Sequence, residues 1–145
     1  MSSIITFFLA PSHEAAAAVV EHGPDGIFES RTWGNFDPEE AMIEWESFLT
    51  GRSFDELLDD GEPETVADPD DGHGPVVLAA SRTLQEALAG TDRSRLVQTS
   101  RLWVEKQAPE GKKIDQEIAE EVLNSLARLA RGIHGHDDRL YCWTA

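Results

Sequence analysis

Two apolar runs of strand length stand at opposite ends of this chain, Ser3–Ala10 (SIITFFLA) and Arg139–Ala145 (RLYCWTA). Both are rich in the β-branched and aromatic side chains that suit a pleated, buried surface, and both are short for a helix. Strands so far apart in sequence bury their apolar faces most simply by pairing, with the intervening chain packed over the sheet. That intervening chain carries mostly helix signals. The pattern predicts an α+β fold, with a small central sheet including both terminal strands, packed with about five helices. A chain of 145 residues is expected to form one domain spanning 1–145, burying about 70% of the surface its unfolded state exposes.

The helix signals are specific. Ser12 is placed to cap a helix over 13–22 that Gly23 ends. Ile27–Ser30 reads as a short strand, and Trp33-Gly34-Asn35-Phe36 as a turn with two aromatic anchors. Asp37-Pro38-Glu39-Glu40 combines an N-cap, proline at the first helical position and two acids where the helix dipole favours them. Ala41, Met42, Trp45, Phe48 and Leu49 follow at helical spacing, and Gly51 sits where a terminating glycine belongs. Ser53-Phe54-Asp55-Glu56 is a capping box for a second, shorter helix that Gly61 stops. Residues 61–75 read as an acidic, Pro/Gly-containing loop, long enough to suggest function or mobility. Pro75–Ala80 reads as a buried strand, Ser81 and then Thr91 or Asp92 as caps of the next two helices, and Asp115 as the cap of the longest. In that last helix Ile118, Val122, Leu126, Leu129 and Ile133 are expected to form the apolar stripe, with Leu123 and Ala130 widening it.

Charge is concentrated in one quarter of the chain. Residues 37–71 hold fourteen acids and only Arg52, a net of −13 out of −16 overall. Such a surface repels phosphates, which argues against nucleic acid or an anionic membrane as partner. Nothing in the sequence is apolar for long enough to span a bilayer as a helix. The N-terminus lacks the basic region of a signal peptide, and a lone cysteine permits no internal disulfide. A cytoplasmic protein is the expectation.

Candidate sites follow from these features. Between Asp55 and Asp71 lie nine acids and no base. A calcium loop starting at Asp68 would need glycine at its sixth position and glutamate at its twelfth; Gly72 falls fifth, and Ala79 falls twelfth. The acidic stretch is then either a solvated surface or a docking patch for a basic partner. In the second reading Asp55, Glu56, Asp59, Asp60 and Glu62 supply charge, and Trp33 or Phe36 an apolar anchor. His134-Gly135-His136-Asp137 is the close histidine pair of the sequence; it reads as a polar turn or as part of a metal or ligand site that His73, between two glycines, would complete. Cys142 alternates with Tyr141 and Trp143 and reads as a buried structural thiol rather than a nucleophile. No Gly-x-Ser-x-Gly elbow, His-Glu-x-x-His or phosphate-binding glycine loop is present.

Several of these segments together resemble the YfbM-like proteins, a bacterial α+β family of unknown function. The likeness is carried by the Ile4–Leu9 strand and the helix after it, by Leu49-Thr50-Gly51, and by Gly72-His73-Gly74-Pro75 with Ser81–Leu96. The last helix and Leu140–Trp143 extend it. The family pattern places a histidine between the tryptophan and Leu-Thr-Gly; Trp45-Glu46-Ser47-Phe48 has none, so no role for that histidine transfers. The resemblance implies the fold and brings no reaction with it. Two functional classes stand at this point. One is a non-enzymatic interaction or inhibitory module that docks a basic protein on residues 37–71 and needs no cofactor. The other is a small metal- or ligand-dependent enzyme using His73, His134, His136 and nearby carboxylates.

Overall fold

The computed structural model describes residues 4–34, 36–111, 114–133 and 138–145. Ile4–Ala10 (β1) and Arg139–Thr144 (β5) are indeed strands, and they pair with each other, antiparallel, from Ile5 opposite Thr144 to Ala10 opposite Arg139. They form the middle of a five-stranded antiparallel sheet. Ser30–Gly34 (β2) flanks β1, and Val76–Ala79 (β4) followed by Glu64–Ala67 (β3) flank β5, giving the order β2-β1-β5-β4-β3.

Alternation along the strands sorts their side chains onto two buried faces. On one face Ile5, Phe7, Leu78, Leu140 and Cys142 meet the main helical layer. It consists of Pro38–Thr50 (α2), Arg82–Gly90 (α4), Arg93–Gln107 (α5) and Gln116–Arg131 (α6). Phe54–Asp59 (α3) follows α2 at the rim. On the other face Phe8, Val77, Ala79 and Tyr141 pack with Ala16 and Val19, from His13–Ala17 (α1) and the turns after it. Because both faces are covered, β1 is buried almost continuously rather than on alternate residues, which is why its sequence is an unbroken apolar run.

The caps act as their residue types require. Asp37, Ser53, Ser81, Asp92 and Asp115 each accept a first-turn N–H at the start of α2 to α6, and Gly51 closes α2 with φ +82°. At the centre of the helical layer Trp45 and Trp103 meet edge to face at 5.0 Å, with Phe36 packed against both and Phe7 beneath Trp45.

Four expectations require correction. The helix after Ser12 is five residues, not ten, and continues as turns to Gly23. The strand expected at Ile27–Ser30 lies further on, at Ser30–Gly34, so Trp33 belongs to β2 and not to a turn. The 61–75 segment is not wholly loop, since Glu64–Ala67 forms the edge strand β3 against β4 after a cis Glu62–Pro63 peptide. In α6 the buried stripe runs through Ala119, Val122, Leu123, Leu126, Ala127, Leu129 and Ala130, while Ile118 is 45% exposed. Ala119, Ala127 and Ala130 lie on the face that packs into the main core, and Ile118 stands off that face.

Candidate functional site

The acidic stretch divides into an outward face and an inward cluster. Leu57 is buried and fixes the rotation of α3, which leaves Asp55, Glu56 and Asp59 exposed, with Leu58 half-exposed among them. The Ser53 hydroxyl accepts the Glu56 N–H at 3.2 Å. Asp55 and Glu56 suit the N-terminal end of α3, but Asp59 and Asp60 stand at its C-terminal end, where the dipole disfavours them. Arg52 offsets part of this, bonding Asp60 and lying 3.6 Å from Glu56.

Trp33 and Phe36 are half-buried rather than exposed. Trp33 packs edge-on to Phe7 at 6.2 Å, Phe36 reaches Trp103 at 5.1 Å, and both are half-buried against the main core. Aromatic area of that size is stabilised more by the core than by solvent exposure. Glu62 also turns inward, and Asp60 is engaged by Arg52. His73 is exposed in the turn between β3 and β4, where its N–H donates to the Asp70 carbonyl at 3.1 Å. His134, His136 and Asp137 lie outside the described residues. Among the described residues no three His, Cys, Asp or Glu side chains converge as a metal site.

The inward cluster lines a cleft of about 340 Å³ between the end of α2, the chain leading into β3, the start of α4 and the start of β5. Glu46, on the last turns of α2, is 3% exposed and accepts a hydrogen bond from the Ser81 hydroxyl, whose oxygen accepts the Leu84 N–H in turn. Arg139, the first residue of β5, donates from Nη2 to the Ala80 carbonyl at 2.7 Å. Its Nη1 lies 3.5 Å from His13 Nε2. His13 also lies 3.1 Å from Glu64 through Nε2 and 2.9 Å from the Tyr141 hydroxyl through Nδ1. Burial raises the Tyr141 pKa. Two buried polar atoms in this region have no hydrogen-bond partner, Glu62 Oε2 and Arg139 Nε. Burial is the main cause that raises the Glu62 pKa. Arg139 pulls it back, while Glu46, Glu64 and Asp60 push it further up.

A separate buried acid stands on the same helix. Glu44 is 2% exposed and accepts from Gln107 Nε2 at 2.9 Å. Burial, and then the nearby Glu40, raise its pKa to about 7; the Gln107 hydrogen bond and Lys106 oppose this. Cys142 is fully buried on the helical face of the sheet, and burial, with a smaller effect of Asp37, drives its thiol well above the usual range. That is the inert thiol expected from its strand position.

The cleft residues Glu46, Glu64 and Arg139, and His13 bonded beside them, were not singled out from the sequence. One signal was available: Glu44 and Glu46 flank Trp45, so both stand at the border of the apolar stripe of α2, where a carboxylate is drawn partly inside. His13 and Arg139 are 126 positions apart and only the β1–β5 pairing brings them together.

Among known proteins, no family model matches this chain, and no curated protein or solved structure matches it either. Among the described residues no helix is long and apolar enough to cross a membrane.

Proposed function

We propose that this protein is an interaction module that docks a basic partner protein on the outward face of α3. The observation that carries the reading is Leu58, 48% exposed among Asp55, Glu56 and Asp59. An apolar side chain ringed by like charges is a suitable centre for a small interface, with the charges steering approach and the apolar contact holding the complex. Asp55 and Asp59 are four residues apart on one helix, a spacing at which like charges repel. A basic partner relieves that repulsion. Leu58 takes the anchoring role that Trp33 and Phe36 lose to the core. Inhibition of a basic enzyme is one form this docking would take. Kinship with the YfbM-like proteins is proposed alongside it, supported by the Leu49-Thr50-Gly51 close of α2, and it carries the fold without adding an activity.

The test is a low-salt pull-down from host lysate with the wild type, with Asp55→Asn/Glu56→Gln/Asp59→Asn, and with Leu58→Ser. A basic protein retained by the wild type, released by moderate salt and lost from both variants is the expected result. Equal retention by the wild type and the charge variant, or none by either, defeats the reading.

A further inference from the structure

A second cleft, between the start of α5 and the last turns of α6, carries an inference independent of the docking face on α3. Gln116 opens α6 beside the middle of α5, donating to the Ser100 hydroxyl at 2.8 Å, and the later turns of α6 reach the start of α5. There Arg93 and Leu96 of α5 and Asn124, Arg128 and Arg131 of α6 line a cleft of about 280 Å³. Asn124, Arg128 and Arg131 share one helix face, since they stand at i, i+4 and i+7. Buried Leu96 gives the cleft an apolar wall. Three guanidinium groups thus meet in one place, and no carboxylate lines it among the described residues. In a chain with 28 acids against 12 Lys and Arg, that segregation needs a reason.

Of the three, Arg131 is engaged by the fold. It donates from Nε to the Ala89 carbonyl at 3.2 Å and from Nη2 to the Thr91 carbonyl at 2.6 Å, which braces the end of α4 and fixes its own position. The Arg93 and Arg128 guanidiniums and the Asn124 amide have no hydrogen-bond or ion-pair partner among the described residues. The Asp92 carboxylate beside Arg93 is committed to the Arg95 N–H at 2.8 Å. Arg93 is the first residue of α5, where the positive end of the helix dipole disfavours a cation. Arg128 suits the C-terminal end of α6, yet it stands three residues from Arg131, a spacing at which like charges repel. A bound anion relieves both conflicts at once.

We propose that this cleft binds the phosphate group of a small molecule, with Arg93, Arg128 and Asn124 donating to its oxygens and the braced Arg131 adding charge. A carboxylate is one negative charge and is satisfied by a single guanidinium fork; a phosphate dianion offers three terminal oxygens to several. The volume is just below the roughly 300–1,000 Å³ of pockets that enclose a whole ligand, so it suits a headgroup. A polyanion fits poorly. Along α6 it would run from the arginines toward Glu121, Glu120 and Glu117, and the chain carries a net charge of −16.

Calorimetric titration of the full chain at constant ionic strength, near neutral pH, tests this with inorganic phosphate, glycerol 3-phosphate, acetate and a short DNA duplex. At least one of the two phosphates should bind saturably at about millimolar concentration or below, and acetate roughly tenfold or more weakly. The tighter of the two phosphates tells whether the free ion or a monoester is the ligand. Arg93→Gln and Arg128→Gln should each weaken phosphate binding roughly tenfold while keeping the wild-type melting temperature. Arg93→Lys retains the charge but not the fork and should also weaken it. Arg101→Gln removes the same charge from an exposed position of α5 outside the cleft, and should leave the affinity within about twofold of wild type. Saturation by neither phosphate, or acetate binding equal to phosphate, overturns the proposal. So does an equal loss in Arg101→Gln and Arg93→Gln, or tighter binding of the duplex than of either phosphate.

Discussion

Gln107 Nε2, at the end of α5, donates a 2.9 Å hydrogen bond to the carboxylate of Glu44, which α2 holds 2% exposed. The bond links two helices of the main layer, and it places a titrating acid in the interior. The groups around that acid are Glu40 on its own helix and Lys106 on α5, with Asp55 across a shallow surface pocket.

Stability should therefore fall as pH rises. The folded-state pKa of Glu44 is about 7, above the ordinary value of 4.5. The folded protein then binds the proton more tightly than the unfolded chain. The stabilisation is complete below about pH 4.5 and is lost as pH rises through about 7. Glu62, also raised, acts in the same sense. Glu44→Gln keeps an acceptor for Gln107 and removes the charge. It should stabilise the protein at pH 8 by up to about 3 kcal/mol and flatten the melting temperature against pH between roughly 5 and 8. A wild-type melting temperature that climbs steadily from pH 5 to 8 would contradict this.

Gly23 and Gly26 share a left-handed backbone, φ +83° and +80°, but differ in surroundings. A Cβ at Gly23 would stand 3.2 Å from the Trp143 ring, whose Nε1 donates to the Val20 carbonyl; at Gly26 it would meet open space. Gly26→Ala should cost about 1–2 kcal/mol from the backbone alone. Gly23→Ala should cost roughly 1–3 kcal/mol more. Urea unfolding of the two variants measures the difference.

On α6, Ile118→Gln should change stability by no more than about 0.5 kcal/mol, because the side chain is half in solvent. Leu126→Ala, at a fully buried position, should cost about 2–5 kcal/mol. Comparable losses from both would mean that α6 is rotated from the orientation described.

The Cys142 thiol, fully buried with its pKa raised, should resist a thiol reagent at pH 8 in the native protein and react at once in denaturant. Labelling at the rate of a free thiol under native conditions would show that the β5 face opens locally.

The terminal strands, the side-chain N-caps of α2, α3, α4 and α6, the cap of α5 to within Thr91 or Asp92, and the glycine closing α2 were legible in the sequence because each depends on a few adjacent residues. A cap needs only its own side chain and the next turn. An unbroken β-branched run reports a strand buried on both faces. The edge strand β3 was not legible. It is four residues long with two of them exposed, and pairing with β4 supplies most of its order. Ile118 was misplaced for a related reason: hydrophobicity ranks it above Ala119, but Ala119 lies on the face that packs into the main core.

The function-bearing residues divide along the same line. The sequence by itself determined that residues 37–71 are acidic, that helices start at Asp37 and Ser53, and that Cys142 lies in a strand between two aromatic residues. Only the tertiary structure decided which acids face water and which face the cleft. It turned Glu62 inward and left Leu58 outside, drew Trp33 and Phe36 into the core, and set Arg139 beside His13 across the central strand pair. Local signals fix the backbone of an element, whereas the direction of a charge depends on what packs against it, and those neighbours come from distant parts of the chain.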